Sequence, residues 1–304
     1  ENNALNSANI NWEQLRAEAL EKVKDVEKPD QTYDEIIHVL NKLEDNHSFL
    51  QKGWESLSTP KGAEKKEPSP YSSRMAIESG IHELEGKKVA RIFVPQGIRG
   101  DEFAQNLQDI VIELAQQEPC GWIVDLRGNG GGNMWPMLAG IGHLVGNNPL
   151  GGSIGNNDKR DYYKYHKGHA IYVDFNGKES TLSQIKEKEF NLSANQPLAY
   201  LIDRGTASSG EALAIVFKGR ENTRGFGEKT YGASTSTRGF RLSDSLNLVL
   251  AVSTFQDRNG IIYPDGIEPD VEIPIGNEKM KPDEDEVITV ALTWIIEQEK
   301  AQER

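Results

Sequence analysis

Apolar residues recur at every third or fourth position in two stretches near the start of the chain and in one at its end. Trp12, Leu15, Ala19, Val23 and Val26 form one stripe, which predicts a helix over 11–27. Tyr33, Ile36, Ile37, Leu40 and Leu43 form a second and predict a helix over 32–45. Thr32 with Glu35 three residues on reads as a capping box. Pro29 separates the two, so a short antiparallel helical pair is expected. The chain closes on an amphipathic helix from about Asp285.

The middle of the chain alternates between continuous apolar runs and helical periods. Strands are predicted over Lys88–Pro95, Gly121–Arg127 and Leu198–Asp203, each followed by a helix: Glu102–Gln117, Met134–Val145 and Ser208–Lys218. Such alternation predicts an α/β core with parallel strands. Residues 239–263 alternate polar and apolar and read as an antiparallel β section turning at Asn259-Gly260. Residues 151–180, Gly/Asn-rich and then aromatic, read as an insertion with a hairpin at Asn176-Gly177, placed to cap a cleft. The expected organisation is a helical N-terminal region over 1–57, a linker over 58–86 whose stretch 58–71 is rich in Pro, Lys, Glu and Ser, a core over 87–285, and a C-terminal helix over 286–304.

Composition narrows the chemistry. Of 304 residues 37% are hydrophobic, enough for a packed core, and the formal charge of −13 argues against nucleic acid as a partner. Cys120 is the lone cysteine, which excludes an internal disulfide and a cysteine-based zinc cluster. No run of about 18 apolar residues exists to cross a bilayer. The chain begins Glu1-Asn2-Asn3, without an initiator Met, so a removed signal or membrane anchor is expected.

Three segments carry candidate chemistry. In Asp125-Leu-Arg-Gly-Asn-Gly-Gly-Gly132 a buried-type strand runs through glycines into a helix. It reads either as a tight turn or as a cradle of backbone N–H groups for a phosphate or an oxyanion. In Asp203-Arg-Gly-Thr-Ala-Ser-Ser-Gly-Glu211 a serine stands at a helix start, either as an N-cap or as a nucleophile on an elbow. In Glu44-Asp-Asn-His-Ser48 a histidine follows the second helix, either as a partner for its C-terminal dipole or as a base. His38 and His143 read as structural. His166 and His169, three apart among tyrosines, lack the further ligands a metal needs.

Taken in order, Asp-Leu-Arg-x-Asn-x-Gly-Gly, Thr-Ala-Ser-Ser-Gly-Glu, Gly227-Glu-Lys-Thr-Tyr-Gly232 and Gly266-Ile-Glu-Pro-Asp270 resemble the C-terminal-processing (tail-specific) serine proteases and their tricorn and nisin-resistance relatives. The resemblance runs from about His47 to Ile273 and implies a ClpP/crotonase-like core. It also implies that Ser208 is the nucleophile and that Gly131 and Ser209 supply the oxyanion N–H groups. The general-base lysine of the Ser–Lys branch falls at Ala233, so that dyad is absent. Leu43-Glu-Asp-Asn-His-Ser48 is similar to the segment that carries a histidine base in the other branch, which points to His47. An acidic residue of tricorn-like members falls at Tyr263. Asp265 and Glu211 are the candidates for orienting the base instead. Only about 40 residues separate His47 from the first core strand, too few for a PDZ module.

The expected function is hydrolysis of unfolded or short peptides through a Ser–His acyl-enzyme, with no cofactor or metal, outside the cytoplasm. Three alternatives stay open: a catalytically inactive peptide-binding relative, Lys229 as base, and a thioester or phosphate ligand in the glycine loop.

Overall fold

The computed structural model describes residues 4–302 except 54, 59–66, 187, 189–194, 244, 279 and 282–283. Most of the proline- and lysine-rich stretch expected as a linker thus lies outside the described residues. In chain order the helices are α1 (Trp12–Lys22), α2 (Tyr33–Leu40), α3 (Asp101–Ala115), α4 (Met134–Gly140), α5 (Ser209–Phe217) and α6 (Glu286–Gln302). The strands are β1 (Phe49–Lys52), β2 (Glu55–Ser56), β3 (Glu78–Leu84), β4 (Lys87–Phe93), β5 (Gly121–Asp125), β6 (Gly152–Gly155), β7 (Arg160–His166), β8 (His169–Val173), β9 (Glu179–Gln184), β10 (Leu198–Ile202), β11 (Thr223–Gly227), β12 (Thr235–Arg241), β13 (Leu246–Gln256) and β14 (Val271–Glu272).

The chain divides into two compact units: Glu1–Lys66 with Ile154–Lys159 and Thr235–Thr254, and the remaining residues 67–153, 160–234 and 255–304. The first unit is more than the expected helical region. β1 pairs antiparallel with β2 and with β13, and β12 pairs antiparallel with β13. Leu40, Leu43, Leu50, Leu246 and Leu250 form its core, which draws the N-terminal helices onto strands from late in the chain. Both helices are shorter than their stripes predict. The expected cap at Thr32 is not formed, because its hydroxyl donates to the Pro29 carbonyl at 2.7 Å. Gln31 caps the preceding 3-10 turn instead, accepting from the amides of Glu27 and Lys28 at 3.0 and 2.9 Å. α2 stops at Leu40 because its last carbonyls are closed by tighter turns and Glu44 takes a left-handed conformation (φ +50°).

The second unit holds the predicted α/β core. Its sheet runs β14-β11-β10-β5-β4-β3, parallel throughout except for β3, which lies antiparallel to β4. β3 falls inside the stretch expected as linker. The central strands are apolar on both faces because both are covered. Val89, Ile123, Leu201 and Phe226 pack on Val287, Ile288 and Ile295 of α6. Ile92, Val124, Tyr200 and Ile202 pack with residues of α3, α4 and α5. In the insertion, β7, β8 and β9 form an antiparallel meander whose second turn is Asn176-Gly177, as predicted. Trp135 of α4 meets Tyr163 and Tyr172 of this meander edge-on, at 5.4 and 6.0 Å between centroids.

Candidate active site

The ends of β5 and β10 lie side by side in parallel register, so the loops after them emerge together. Asp203 ties them. Its carboxylate accepts from the amides of Gly128 and Gly205 at 2.8 and 2.9 Å and from the Ser69 hydroxyl. Asn129 ties them again: its carbonyl accepts from the Ala207 amide at 2.9 Å, and its side-chain amide donates to the Val94 carbonyl at 2.9 Å. Below the loop, Asp125 is fully buried. Burial raises its pKa, but Arg127, Arg74 and Arg91 outweigh that and hold it well below the usual carboxylate range. These groups form an ionic framework under the loop, in which Arg127 also pairs with Asp285 at 2.7 Å.

Ser208 stands at the head of α5 with φ +51° and ψ −117°, a region that residues with a Cβ rarely enter. That strain turns it out at the strand-to-helix corner, the geometry of a nucleophile elbow. Two contacts hold it there. The Ser208 amide donates to Glu211 Oε2 at 2.8 Å. Gly131 packs so tightly on the corner that a Cβ there would come within 2.9 Å of Ser208 Cβ and 3.0 Å of the Ser209 amide nitrogen. The neighbouring Ser209 hydroxyl is engaged, donating to the Gly132 carbonyl at 2.8 Å. The Gly131 amide, expected as an oxyanion donor, here donates to Asn129 Oδ1 at 3.0 Å.

Glu211 is fully buried and serves the serine's own loop. Oε1 accepts from the Thr230 hydroxyl at 2.6 Å and the Gly232 amide at 2.9 Å. Burial pushes its pKa up to about 7 against the pull of these donors. Thr230 in turn accepts from the Ile267 amide at 2.8 Å, and Asp270 accepts from the Gly225 amide at 2.6 Å. The last two sequence motifs are therefore scaffolding that reaches Ser208 through Glu211. Ala233, in the lysine place, is buried. Lys229 is about half exposed and pairs with Glu268 at 2.9 Å. That hydrogen bond raises its pKa, the opposite of what a base needs. Tyr263 donates to Asp257 Oδ2 at 2.9 Å. Asp265 lies in the same unit as Ser208, near enough to Lys229 to raise that lysine's pKa.

His47 belongs to the first unit, in the turn between α2 and β1. Asp45 builds that turn: its carboxylate accepts from the His47 amide at 2.8 Å, the Ser48 amide at 2.5 Å and the Ser48 hydroxyl at 2.6 Å. Ser48 then accepts from the Ala251 amide at 3.0 Å, fixing the turn on β13. Nδ1 of His47 lies 2.9 Å from the Thr235 hydroxyl at the start of β12. Burial lowers its pKa below the ordinary value, against a rise from Asp45 and from a hydrogen bond with the Thr235 backbone. Thr235 was invisible in the sequence: a β-branched residue opening a strand reads as β propensity alone.

The model of peptidase family S41 matches residues 88–273, more than half of the chain; the match includes Ser208 and the glycine loop and begins after His47. The nisin-resistance protein of Lactococcus lactis is 28% identical over 62% of this chain and 58% of its own length. A carboxy-terminal processing protease of Bacillus subtilis is 26% identical over 64% of this chain and 37% of its own. The chain thus spans less than two thirds of the length of these curated relatives. A lipoprotein of Streptococcus agalactiae superposes at TM-score 0.67 with 22% identity, covering 98% of this chain and 92% of that one. A photosystem II D1 C-terminal processing protease superposes at 0.55 with 16% identity, covering 89% of each. Motif order, fold and family match agree, and the chain belongs to peptidase family S41, a family of serine peptidases.

Proposed function

We propose that the protein is a serine endopeptidase of the carboxyl-terminal-processing type, with Ser208 as nucleophile and His47 as general base. A serine hydroxyl is a weak nucleophile until a neutral imidazole accepts its proton, and burial favours the neutral ring of His47 at pH 7. Ser208 Oγ forms a bond to the peptide carbonyl carbon while His47 takes its proton. The tetrahedral oxyanion is held by the Ser209 amide, which as a first-turn N–H has no intrahelical acceptor. Gly131 supplies the second donor by exchanging Asn129 for the oxyanion. His47 then protonates the leaving amine, the acyl-enzyme forms, and water activated by the same ring releases it.

The observation that carries this reading is the strained corner at Ser208, with Glu211 on its amide and Gly131 against its Cβ. The engaged hydroxyl of Ser209 supports Ser208 over its neighbour. The substrate is an unfolded or short peptide, consistent with relatives named as C-terminal processing peptidases. The charge of −13 favours basic peptides by attraction. An extracytoplasmic site of action is part of the proposal.

Ser208→Ala and His47→Ala should each abolish cleavage of an unfolded fluorescent casein while leaving the melting temperature within a few degrees. A fluorophosphonate probe should label wild type and not Ser208→Ala. Full cleavage by either variant would overturn the assignment, and a wild type that binds peptide but takes no label would point to the catalytically inactive alternative.

A further inference from the structure

Ser–His catalysis needs the right tautomer as well as proximity. The base must carry its proton on one ring nitrogen and offer the lone pair of the other. Asp45, the acidic residue beside His47, does not supply that control through the ring, because its two oxygens are taken by the amides of His47 and Ser48 and by the Ser48 hydroxyl. Glu211 is occupied by Ser208, Thr230 and Gly232. The group that meets the imidazole is Thr235, whose Oγ1 lies 2.9 Å from Nδ1.

We infer that Thr235 is a positioning residue that holds the proton of His47 on Nδ1 and leaves Nε2 as the acceptor for the nucleophile's proton. This inference rests on the Ser–His reading above. Its grounds are geometric. Thr235 is the first residue of β12, buried to 9% exposure and paired with Thr254 of β13, so its backbone is fixed. A register shift between Ser236 and Thr237 follows at once, the kind of irregularity that re-aims a side chain out of the regular pleat. The turn carrying His47 is fastened to the same strand through Ser48 and Ala251. Ring and hydroxyl are thus held from both sides by one set of strands. Nδ1 is the ring nitrogen that the Thr235 hydroxyl engages, so a ring acting as base accepts on Nε2 and carries its proton on Nδ1, donating it to Oγ1. Asp45 is the charged group that acts on the ring from its own turn, and it favours the protonated form.

The test uses the full chain with 15N-labelled histidine, the His47 signal being the one lost in His47→Ala. In wild type the neutral ring should show a protonated Nδ1 and an unprotonated Nε2. Thr235→Val, a near-isosteric change suited to a strand, should shift that pattern toward the other tautomer. It should also slow fluorophosphonate labelling of Ser208 about tenfold and move the acidic limb of the labelling profile to lower pH, since an acceptor for the imidazolium is lost. Thr235→Ser should restore all three. A wild-type ring protonated on Nε2 would overturn the inference, even if Thr235→Val did not fold. So would a folded Thr235→Val with unchanged tautomer and unchanged pH profile. Failure of the underlying reading looks different: His47→Ala would label as fast as wild type whatever the tautomer.

Discussion

The carboxylate of Glu211 accepts a hydrogen bond from the amide of Ser208, three residues earlier, at 2.8 Å. That bond links a helix cap to the strained corner at Ser208. The same carboxylate reaches Thr230 and Gly232, so the elbow is anchored to a second loop. Its removal strands donors in a buried place. Glu211→Ala is expected to lower stability by about 2–4 kcal/mol, measured by denaturant unfolding.

The raised pKa of Glu211, about 7 against an ordinary 4.5, makes a second prediction. In the unfolded chain the group loses its proton near 4.5, and in the folded one near 7. Between these values the folded state binds more protons, so ionisation of Glu211 costs stability as pH rises through that window. Wild type should therefore lose stability relative to Glu211→Gln between pH 5 and 7.5, by a few kcal/mol at most. Parallel unfolding curves for the two proteins across that range would contradict it.

The strain at Ser208 should be recoverable. Glycine enters the φ +51° region freely, whereas alanine does not. Ser208→Gly should be more stable than Ser208→Ala by about 1–3 kcal/mol. Equal stabilities would mean that the corner relaxes without its side chain.

Gly131 has no room for a side chain: it sits at φ +103°, and its Cβ would press on Ser208. Gly131→Ala should cut peptide cleavage by about a hundredfold, because the added Cβ displaces the serine and moves the residue 131 amide off the proposed oxyanion position. The loss should appear in kcat. A change confined to KM would instead place Gly131 in substrate binding alone.

Lys229 is the rival base, and its pairing with Glu268 speaks against it. Lys229→Ala should retain peptidase activity within about twofold, as surface changes do. An inactive Lys229→Ala beside an active His47→Ala would replace Ser–His with Ser–Lys.

Much of the scaffold was legible beforehand. Apolar runs at 88–95, 121–127 and 198–203 marked strands covered on both faces, because only such strands lack alternation. Asn176-Gly177 marked its hairpin because few other pairs suit that turn. The helical stripes of the N-terminal region were legible as faces but not as ends. α2 stops early at the left-handed turn that leads to Asp45, and a stripe carries no signal of that. The Thr32 and Glu35 pattern failed because the threonine hydroxyl found the Pro29 carbonyl nearer. Residues 239–263 read correctly as antiparallel, but with the turn at Asn259-Gly260, whereas the antiparallel partners are β12 and β13, Thr235–Arg241 with Leu246–Gln256, and nothing local says that these strands share a compact unit with residues 1–66.

The sequence by itself determined the alternating core, the order of four motifs and the short list of residues able to do acyl transfer. Those are local properties, set by periodicity, by glycine's reach in φ and by the chemistry of serine and histidine. Tertiary structure alone decided what each residue is bonded to: Glu211 to the amide of Ser208, Gly131's amide to Asn129, and His47 to a threonine nearly two hundred positions later, at a sequence separation of 188. Hydrogen-bond partners are chosen by distance and angle within a few tenths of an ångström, and only the folded backbone sets those.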